Sequence, residues 1–147
     1  MQALNLNDLD LIRAWSSKDP SADLHFNFPV YSATGAMSTS VVYMELEPGC
    51  HLGRHTDSAE EIVVVLEGTV RGTVGDETGE LTAGGIVLIP AMVPHDLLNT
   101  GTTKARAVGI FSSSTVVSTF DHALQPIGRR VVGTPLPPEE TPVAVGA

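Results

Sequence analysis

The sequence predicts an all-β protein, built as a sandwich or barrel of short strands. Short β-branched or aromatic runs recur along the chain, and clusters of Gly, Pro and Asp separate them at regular spacing. No long helical period lies between the runs, which favours a sheet over a mixed fold. The runs cover residues 30–31, 41–44, 62–66, 70–74, 86–89, 97–98, 107–111 and 116–120.

The two ends of the chain differ from this pattern. Asn7 or Asp8 can cap a short helix that runs to about Trp15, so the start is predicted to be a helical or irregular arm. The end carries four Pro and two adjacent Glu and is expected to be disordered. The predicted parts are therefore an arm over 1–20, a barrel over 21–133 and a disordered tail over 134–147.

Charge and composition exclude several classes of function. Acidic residues outnumber basic ones by 17 to 8, the formal charge is −9, and Lys and Arg form no cluster, which argues against binding to nucleic acid or anionic lipid. The longest aliphatic run, residues 62–66, is far shorter than the ~20 residues that a membrane crossing needs. The single Cys50 allows no intrachain disulfide, and no secretory signal is visible. We expect a cytoplasmic protein.

Two groups of polar residues predict a metal site. The first motif reads Gly49-x5-His55-x-Asp57-x3-Glu61-x6-Gly68, and the second reads Gly84-x5-Pro90-x-Met92-x2-His95-x3-Asn99. Because side chains alternate along a strand, His55 and Asp57 should point the same way. Glu61 should share the inward face of its strand, where an ionised carboxylate is unfavourable unless it is paired or metal-bound. We predict that His55, Asp57, Glu61 and His95 bind one divalent ion: Fe, Mn, Ni, Co or Zn.

Both motifs resemble the two signature motifs of the cupin superfamily, which includes germins, sugar isomerases and quercetin-type dioxygenases. The resemblance is close from Gly49 to Asn99 and extends through the strand pattern from about residue 24 to residue 120. It implies a double-stranded β-helix, or jelly-roll barrel, in which His55, Glu61 and His95 are metal ligands. Asp57 stands where the family has a second His, and either ligates the ion or leaves a water in that place. Met92 stands where the second motif usually has Gly.

Two classes of function are compatible with such a site. The first is a metal-dependent enzyme acting on a small organic molecule inside the barrel, either as a dioxygenase or as a redox-neutral isomerase, lyase or cyclase. Asp57 and Glu61 are its candidate catalytic residues, and Asp57 becomes a candidate general base if it is not a ligand. The alternative is a non-catalytic module that binds a metal or a small ligand.

Five residues are predicted to line the substrate pocket: Met44, Arg71, Met92, Leu97 and Phe111. Arg71 would hold an anionic substrate if the polar face of its strand, with Thr69 and Thr73, lines the cavity. His51 shares the parity of His55, so it either reaches the barrel mouth or lies in a solvated loop.

A homodimer is also expected. The strand over 62–66 is apolar on both faces, so one face needs a partner subunit or a second sheet. The apolar residues of the arm, Leu9, Ile12 and Trp15, would lie across the neighbouring protomer. The resemblance to cupins implies the same association.

Overall fold

Twelve β-strands form two six-stranded antiparallel sheets in the computed structural model, which describes residues 1–135. The strands are β1 Ile12–Trp15, β2 Asp23–Val30, β3 Ser40–Leu46, β4 His55–Asp57, β5 Glu61–Glu67, β6 Thr69–Val74, β7 Glu77–Thr82, β8 Ile86–Ile89, β9 His95–Asn99, β10 Ala105–Phe111, β11 Val116–Leu124 and β12 Arg129–Thr134. The first sheet has the order β1-β2-β3-β10-β5-β8, and the second has the order β12-β11-β4-β9-β6-β7. Neighbours in each sheet are mostly distant in sequence, as in a jelly roll, so the prediction of an all-β barrel is confirmed.

Alternating burial explains why the strands pack as they do. Along β5 the side chains of Glu61, Val63 and Val65 are buried between the sheets, while Ile62 faces outward. Strand β9 buries every second residue in the same way. Each fully buried Val or Leu contributes about 1.5–3 kcal/mol to folding, so burial of these residues sets which face of a strand points inward. Polar residues on the same face then point inward as well.

The helix predicted up to Trp15 is wrong. Asn5 caps only a single 3-10 turn over Leu6–Asp8, and β1 then pairs with β2 in an antiparallel register. The backbone of Trp15 also exchanges two hydrogen bonds with Gln125, at 3.1 and 2.6 Å. Because these partners lie elsewhere in the chain, a local sequence pattern cannot reveal them.

Two further strands were not predicted from the sequence. Strand β7 is exposed on almost every residue, so it has no apolar alternation to reveal it. Strand β12 continues to Thr134, so the residue at which the disordered tail was expected to begin is part of a strand. The rest of the expected tail, residues 136–147, lies outside the described residues. Residues 1–135 contain no helix with the length and apolarity that a membrane crossing requires.

Candidate metal centre

The four predicted ligands come from three strands in both sheets. His55 and Asp57 lie on β4, His95 begins β9, and Glu61 begins β5. Strands β4 and β9 pair in the second sheet, with His55 directly opposite His95, whereas β5 belongs to the first sheet. All four residues are exposed by 8% or less. The fold therefore brings the polar residues of both motifs together between the sheets.

Three of the four form a compact group. His95 Nε2 lies 3.0 Å and His55 Nε2 lies 3.5 Å from Asp57 Oδ2. Potential ligand atoms of His55, Asp57 and His95 all lie within 4.8 Å of one another. Donors bound to one ion at about 2.0–2.2 Å lie at most about 4.4 Å apart, so the two distances to Asp57 Oδ2 suit a shared ion. Glu61 is outside this group, although its Oε1 lies 3.6 Å from His95 Nε2.

Backbone carbonyls orient both imidazoles. His55 Nδ1 lies 2.7 Å from the carbonyl oxygen of Gly53, and His95 Nδ1 lies 2.9 Å from that of Val93. In each case the Nδ1–H donates to the carbonyl, so Nε2 is directed toward the carboxylates. A second nitrogen held by a carbonyl is the usual arrangement of a metal-binding histidine.

Two buried polar atoms of the group have no hydrogen-bond partner among residues 1–135. They are Asp57 Oδ2 and His95 Nε2, which lie 3.0 Å apart but not in hydrogen-bonding geometry. The other oxygen of Asp57, Oδ1, accepts a hydrogen bond of 2.5 Å from the Ser118 hydroxyl. Buried polar atoms nearly always have a hydrogen-bond partner or a bound ion. The two atoms without a partner are therefore placed as ligands of a cation would be.

The charges of the metal-free site are strongly coupled. Burial would raise the pKa of Asp57, but the adjacent imidazoles outweigh it and hold that pKa far below its ordinary value. Burial would lower the pKa of His95, but Asp57 and Glu61 outweigh it and raise the pKa to about 10. The pKa of Glu61 is raised, mainly by burial. Without an ion, His95 is therefore a cation beside the Asp57 carboxylate.

His51 supports the loop that holds His55. Its ring lies between Asp96 and Asp19, with Nδ1 2.6 Å and Nε2 2.8 Å from their Oδ2 atoms. The N–H of Gly53 donates to Asp96 Oδ1 at 3.1 Å, and the Gly53 carbonyl accepts the hydrogen bond from His55. His51 thus neither lines the large cavity nor lies free in solvent, because two carboxylates hold it beside β9.

Gly109 on β10 gives Glu61 its space. A Cβ at this position would collide with Glu61 Oε2 and lie 2.8 Å from Val42 Cγ1. Sequence reasoning did not find this residue, because the contact depends on the register of β10 against β5, where Gly109 lies opposite Val63. Ser118 was missed for the same reason, since β11 reaches Asp57 only through the pairing with β4.

The cluster opens into a cavity of about 510 Å³ between the sheets. Of the five predicted pocket residues, Met44, Leu97 and Phe111 line it. The prediction for Arg71 is wrong: the inward face of β6 is occupied by Val70 and Gly72, so the Arg71 side chain is exposed.

Met92 does not line this cavity either. Its side chain is 61% exposed, and its backbone has a φ of 63°. This is the left-handed conformation that favours glycine, as the usual Gly of the second motif would adopt without strain. The N–H of Met92 donates to the Asp57 carbonyl at 2.8 Å, which holds the turn in this shape and turns the thioether toward solvent.

Comparison with known proteins agrees with this architecture. Residues 42–111 match the family model described as the Cupin domain. No curated protein sequence matches the chain. The polyketide cyclase RemF from Streptomyces resistomycificus is 20% identical, with a TM-score of 0.63 over 76% of this chain and 78% of that one.

Two further solved structures share the fold. A putative sugar phosphate isomerase from Acidithiobacillus ferrooxidans is 20% identical, with a TM-score of 0.62 over 82% of this chain and 79% of that one. An oxalate oxidase in complex with the substrate analogue glycolate is 19% identical, with a TM-score of 0.68 over 82% of this chain and 63% of that one. At these identities the likeness shows the fold and not the activity. The match to the Cupin domain model covers both motifs, and these solved structures share the double sheet, so both comparisons support the resemblance to the cupin superfamily.

Proposed function

We propose that this chain is an enzyme that binds one divalent metal ion through His55, Asp57 and His95 and acts on a small organic molecule in the cavity. One observation carries the proposal: two unpartnered buried ligand atoms, Asp57 Oδ2 and His95 Nε2, lie 3.0 Å apart at the edge of a cavity of about 510 Å³. A bound divalent ion would polarise a carbonyl or hydroxyl oxygen of the substrate. Elemental analysis of the native protein would identify the metal among Fe, Mn, Ni, Co and Zn.

The reaction that we propose is redox-neutral proton transfer, as in an isomerase, lyase or cyclase. Glu61 supports this choice, since it lies outside the compact group of three, faces the cavity and has a raised pKa because it is buried. A carboxyl group of this kind can take a proton from a carbon next to a carbonyl and return it elsewhere on the substrate. Asp57 holds its charge in the ligand group, so the two carboxylates have separate roles.

Solvent deuterium exchange tests this proposal without knowledge of the product. The metal-loaded protein is incubated in D2O, without oxygen, with a panel of ketones and phenols, some of which carry a carboxylate or phosphate group, and proton NMR follows the loss of C–H signals. We expect exchange in the wild type and a loss of at least about a hundredfold in Glu61→Gln, since general base catalysis contributes about 10²–10⁴. The matched control is Glu60→Gln, which changes the adjacent exposed carboxylate. Exchange that survives in Glu61→Gln would reject the role of Glu61.

A dioxygenase is the second candidate. Two His and one carboxylate around one ion, as in His55, Asp57 and His95, match the ligand set of non-haem Fe(II) oxygenases. Turnover that requires O2 and Fe(II), with no exchange under nitrogen, would favour this reading. Metal binding without conversion of any compound would instead favour a non-catalytic module.

We also propose that the protein is a homodimer. The outer face of the first sheet exposes three apolar residues in one row, where Ile62 on β5 lies between Leu88 on β8 and Ile110 on β10. An exposed apolar patch of this kind usually marks a contact with another protein. The single cysteine is compatible with the cytoplasm, which we retain as the proposed location.

A further inference from the structure

Within residues 1–135, histidines are the only basic residues that line the cavity. The chain has eight Lys and Arg, and none lines the cavity within residues 1–135. Residues 136–147 contain neither Lys nor Arg, so that segment brings no basic side chain to the site. The eight residues are Arg13, Lys18, Arg54, Arg71, Lys104, Arg106, Arg129 and Arg130.

Several of these cations are paired with acidic groups elsewhere. Arg13 Nη2 lies 2.8 Å from Asp23 Oδ2, and Lys104 Nζ lies 3.1 Å from Glu45 Oε1. The cavity itself contains Asp57 and Glu61. The negative charge of Asp57, and of Glu61 when it is ionised, would offset the positive charge of a bound metal ion. Sites that hold carboxylate or phosphate groups use Arg or Lys for them, so this cavity is poorly suited to a dianion.

The cavity wall combines aliphatic side chains with a cluster of phenylalanines. The chain has four Phe, and all four line the cavity: Phe26, Phe28, Phe111 and Phe120. The rings of Phe28 and Phe111 are nearly parallel, 6.1 Å apart at 18°, and Phe26 meets Phe28 edge-on at 6.3 Å and 85°. Aromatic rings pack favourably in these arrangements, so a further ring could join this cluster in the same way.

The uncharged polar side chains of the cavity are few and suit oxygen atoms. Asn27, Tyr31, Ser118 and Thr134 line it in addition to the metal cluster. Amide and hydroxyl groups form hydrogen bonds with hydroxyl and keto oxygens without the need for a countercharge. A volume of about 510 Å³ is within the range of about 300–1,000 Å³ for small-molecule sites. It is far more than a two-carbon acid would fill.

Resting on the proposed function, we infer that the substrate is an uncharged aromatic molecule with hydroxyl or keto groups. Its ring system packs against Phe26, Phe28 and Phe111, and one polar edge faces the metal cluster. The lack of Lys and Arg at the cavity argues against oxalate-like dianions and sugar phosphates as substrates, even though related folds occur in proteins described as acting on such compounds.

Two matched probes test this inference: 2-naphthol, which is neutral, and 2-naphthoate, which has the same rings and a carboxylate. Zn(II)-loaded protein is titrated with each probe and with oxalate by calorimetry, and metal content is measured in parallel. We expect 2-naphthol to bind at least tenfold tighter than either anion. Tighter or equal binding of 2-naphthoate or oxalate, or no binding of 2-naphthol, would overturn the inference.

A substitution locates the binding site. Phe28→Leu keeps an apolar side chain and removes the ring, so we expect at least a tenfold loss of 2-naphthol affinity with unchanged metal content. The control is Met37→Leu, at a position 94% exposed and away from the cavity. Circular dichroism and thermal unfolding verify that both variants are folded, and equal 2-naphthol affinity in the two would reject the aromatic wall.

The binding titration tests this inference, and the deuterium exchange tests the proposed function, so the two can fail separately. If 2-naphthol binds but no compound exchanges deuterium, the proposed function fails and the substrate inference stands. If exchange is found only on carboxylate or phosphate substrates, the proposed function stands and the inference fails.

Discussion

Metal binding should release a proton from His95 at a pH where an ordinary histidine has almost none to lose. In the metal-free protein the pKa of His95 is raised to about 10, because Asp57 and Glu61 outweigh the effect of burial. At pH 8 such a group is about 0.99 protonated, whereas a histidine with its ordinary pKa near 6.5 is about 0.03 protonated. A ligand nitrogen must be deprotonated to bind the ion, so nearly one proton is displaced.

The same proton weakens the apparent affinity for the metal. Between about pH 6.5 and 10 the affinity should rise roughly tenfold for each pH unit, since the ion competes with one proton on His95. At pH 7 the loss relative to fully deprotonated His95 is about a thousandfold, or about 4 kcal/mol.

Calorimetry measures the proton release directly. Zn(II), Co(II) and Mn(II) are titrated at pH 8 in buffers of different ionisation enthalpy, and the dependence of the heat on the buffer gives the number of protons. Ionisation of bound water also releases protons but differs among ions, so the share of His95 is the part common to all three. Glu61→Gln should reduce this part, because it removes a group that raises the pKa of His95 and leaves the three proposed ligands in place. A common release below about 0.2 protons at pH 8 would refute the reasoning.

Three other predictions follow from the packing and charges. Gly109→Ala should destabilise the protein by about 1–3 kcal/mol, because the added methyl group overpacks against Glu61 and Val42. Gly79→Ala is the control, since a Cβ there meets no atom within 4 Å, and it should leave the stability unchanged. Urea unfolding measures the stability of both variants. In the metal-free protein, the stability that His95 gains from its partners is complete below its ordinary pKa near 6.5 and is lost as the pH rises toward about 10. We expect a decline of about 1.4 kcal/mol per pH unit in that window, and a decline that persists in His95→Gln would contradict it. Leu88→Glu should convert a dimer into a monomer in light scattering, while Met37→Glu should leave it unchanged; a Leu88→Glu protein with the mass of the wild type would rule out this face.

Local sequence patterns predicted the inward residues but not the contacts between distant strands. His55 and Asp57 share a face because the side-chain period of a strand is two, and Glu61 is buried with Val63 and Val65 as expected. The same alternation placed Met44, Leu97 and Phe111 toward the interior. These predictions needed only the order of residues within one strand.

Features that depend on pairing between distant strands were missed or wrong. Strand β1 forms because β2 and Gln125 supply its partners, and these outweigh a weak local preference for a helix. Gly109 gains its role only when β10 lies beside β5. Arg71 was placed by assuming that the polar face of its strand is the inner one, whereas Val70 and Gly72 occupy that face.

The concentration of every phenylalanine in the cavity wall makes this residue type a selective label. If the protein is produced with fluorinated phenylalanine, all fluorine nuclei lie around one chamber, and none reports from the outer surface. Changes in a fluorine spectrum on addition of a compound would then identify cavity occupancy without any assay of turnover. A paramagnetic ion at the histidine cluster would broaden the Phe120 signal strongly, because that ring stacks on His55 at 4.5 Å.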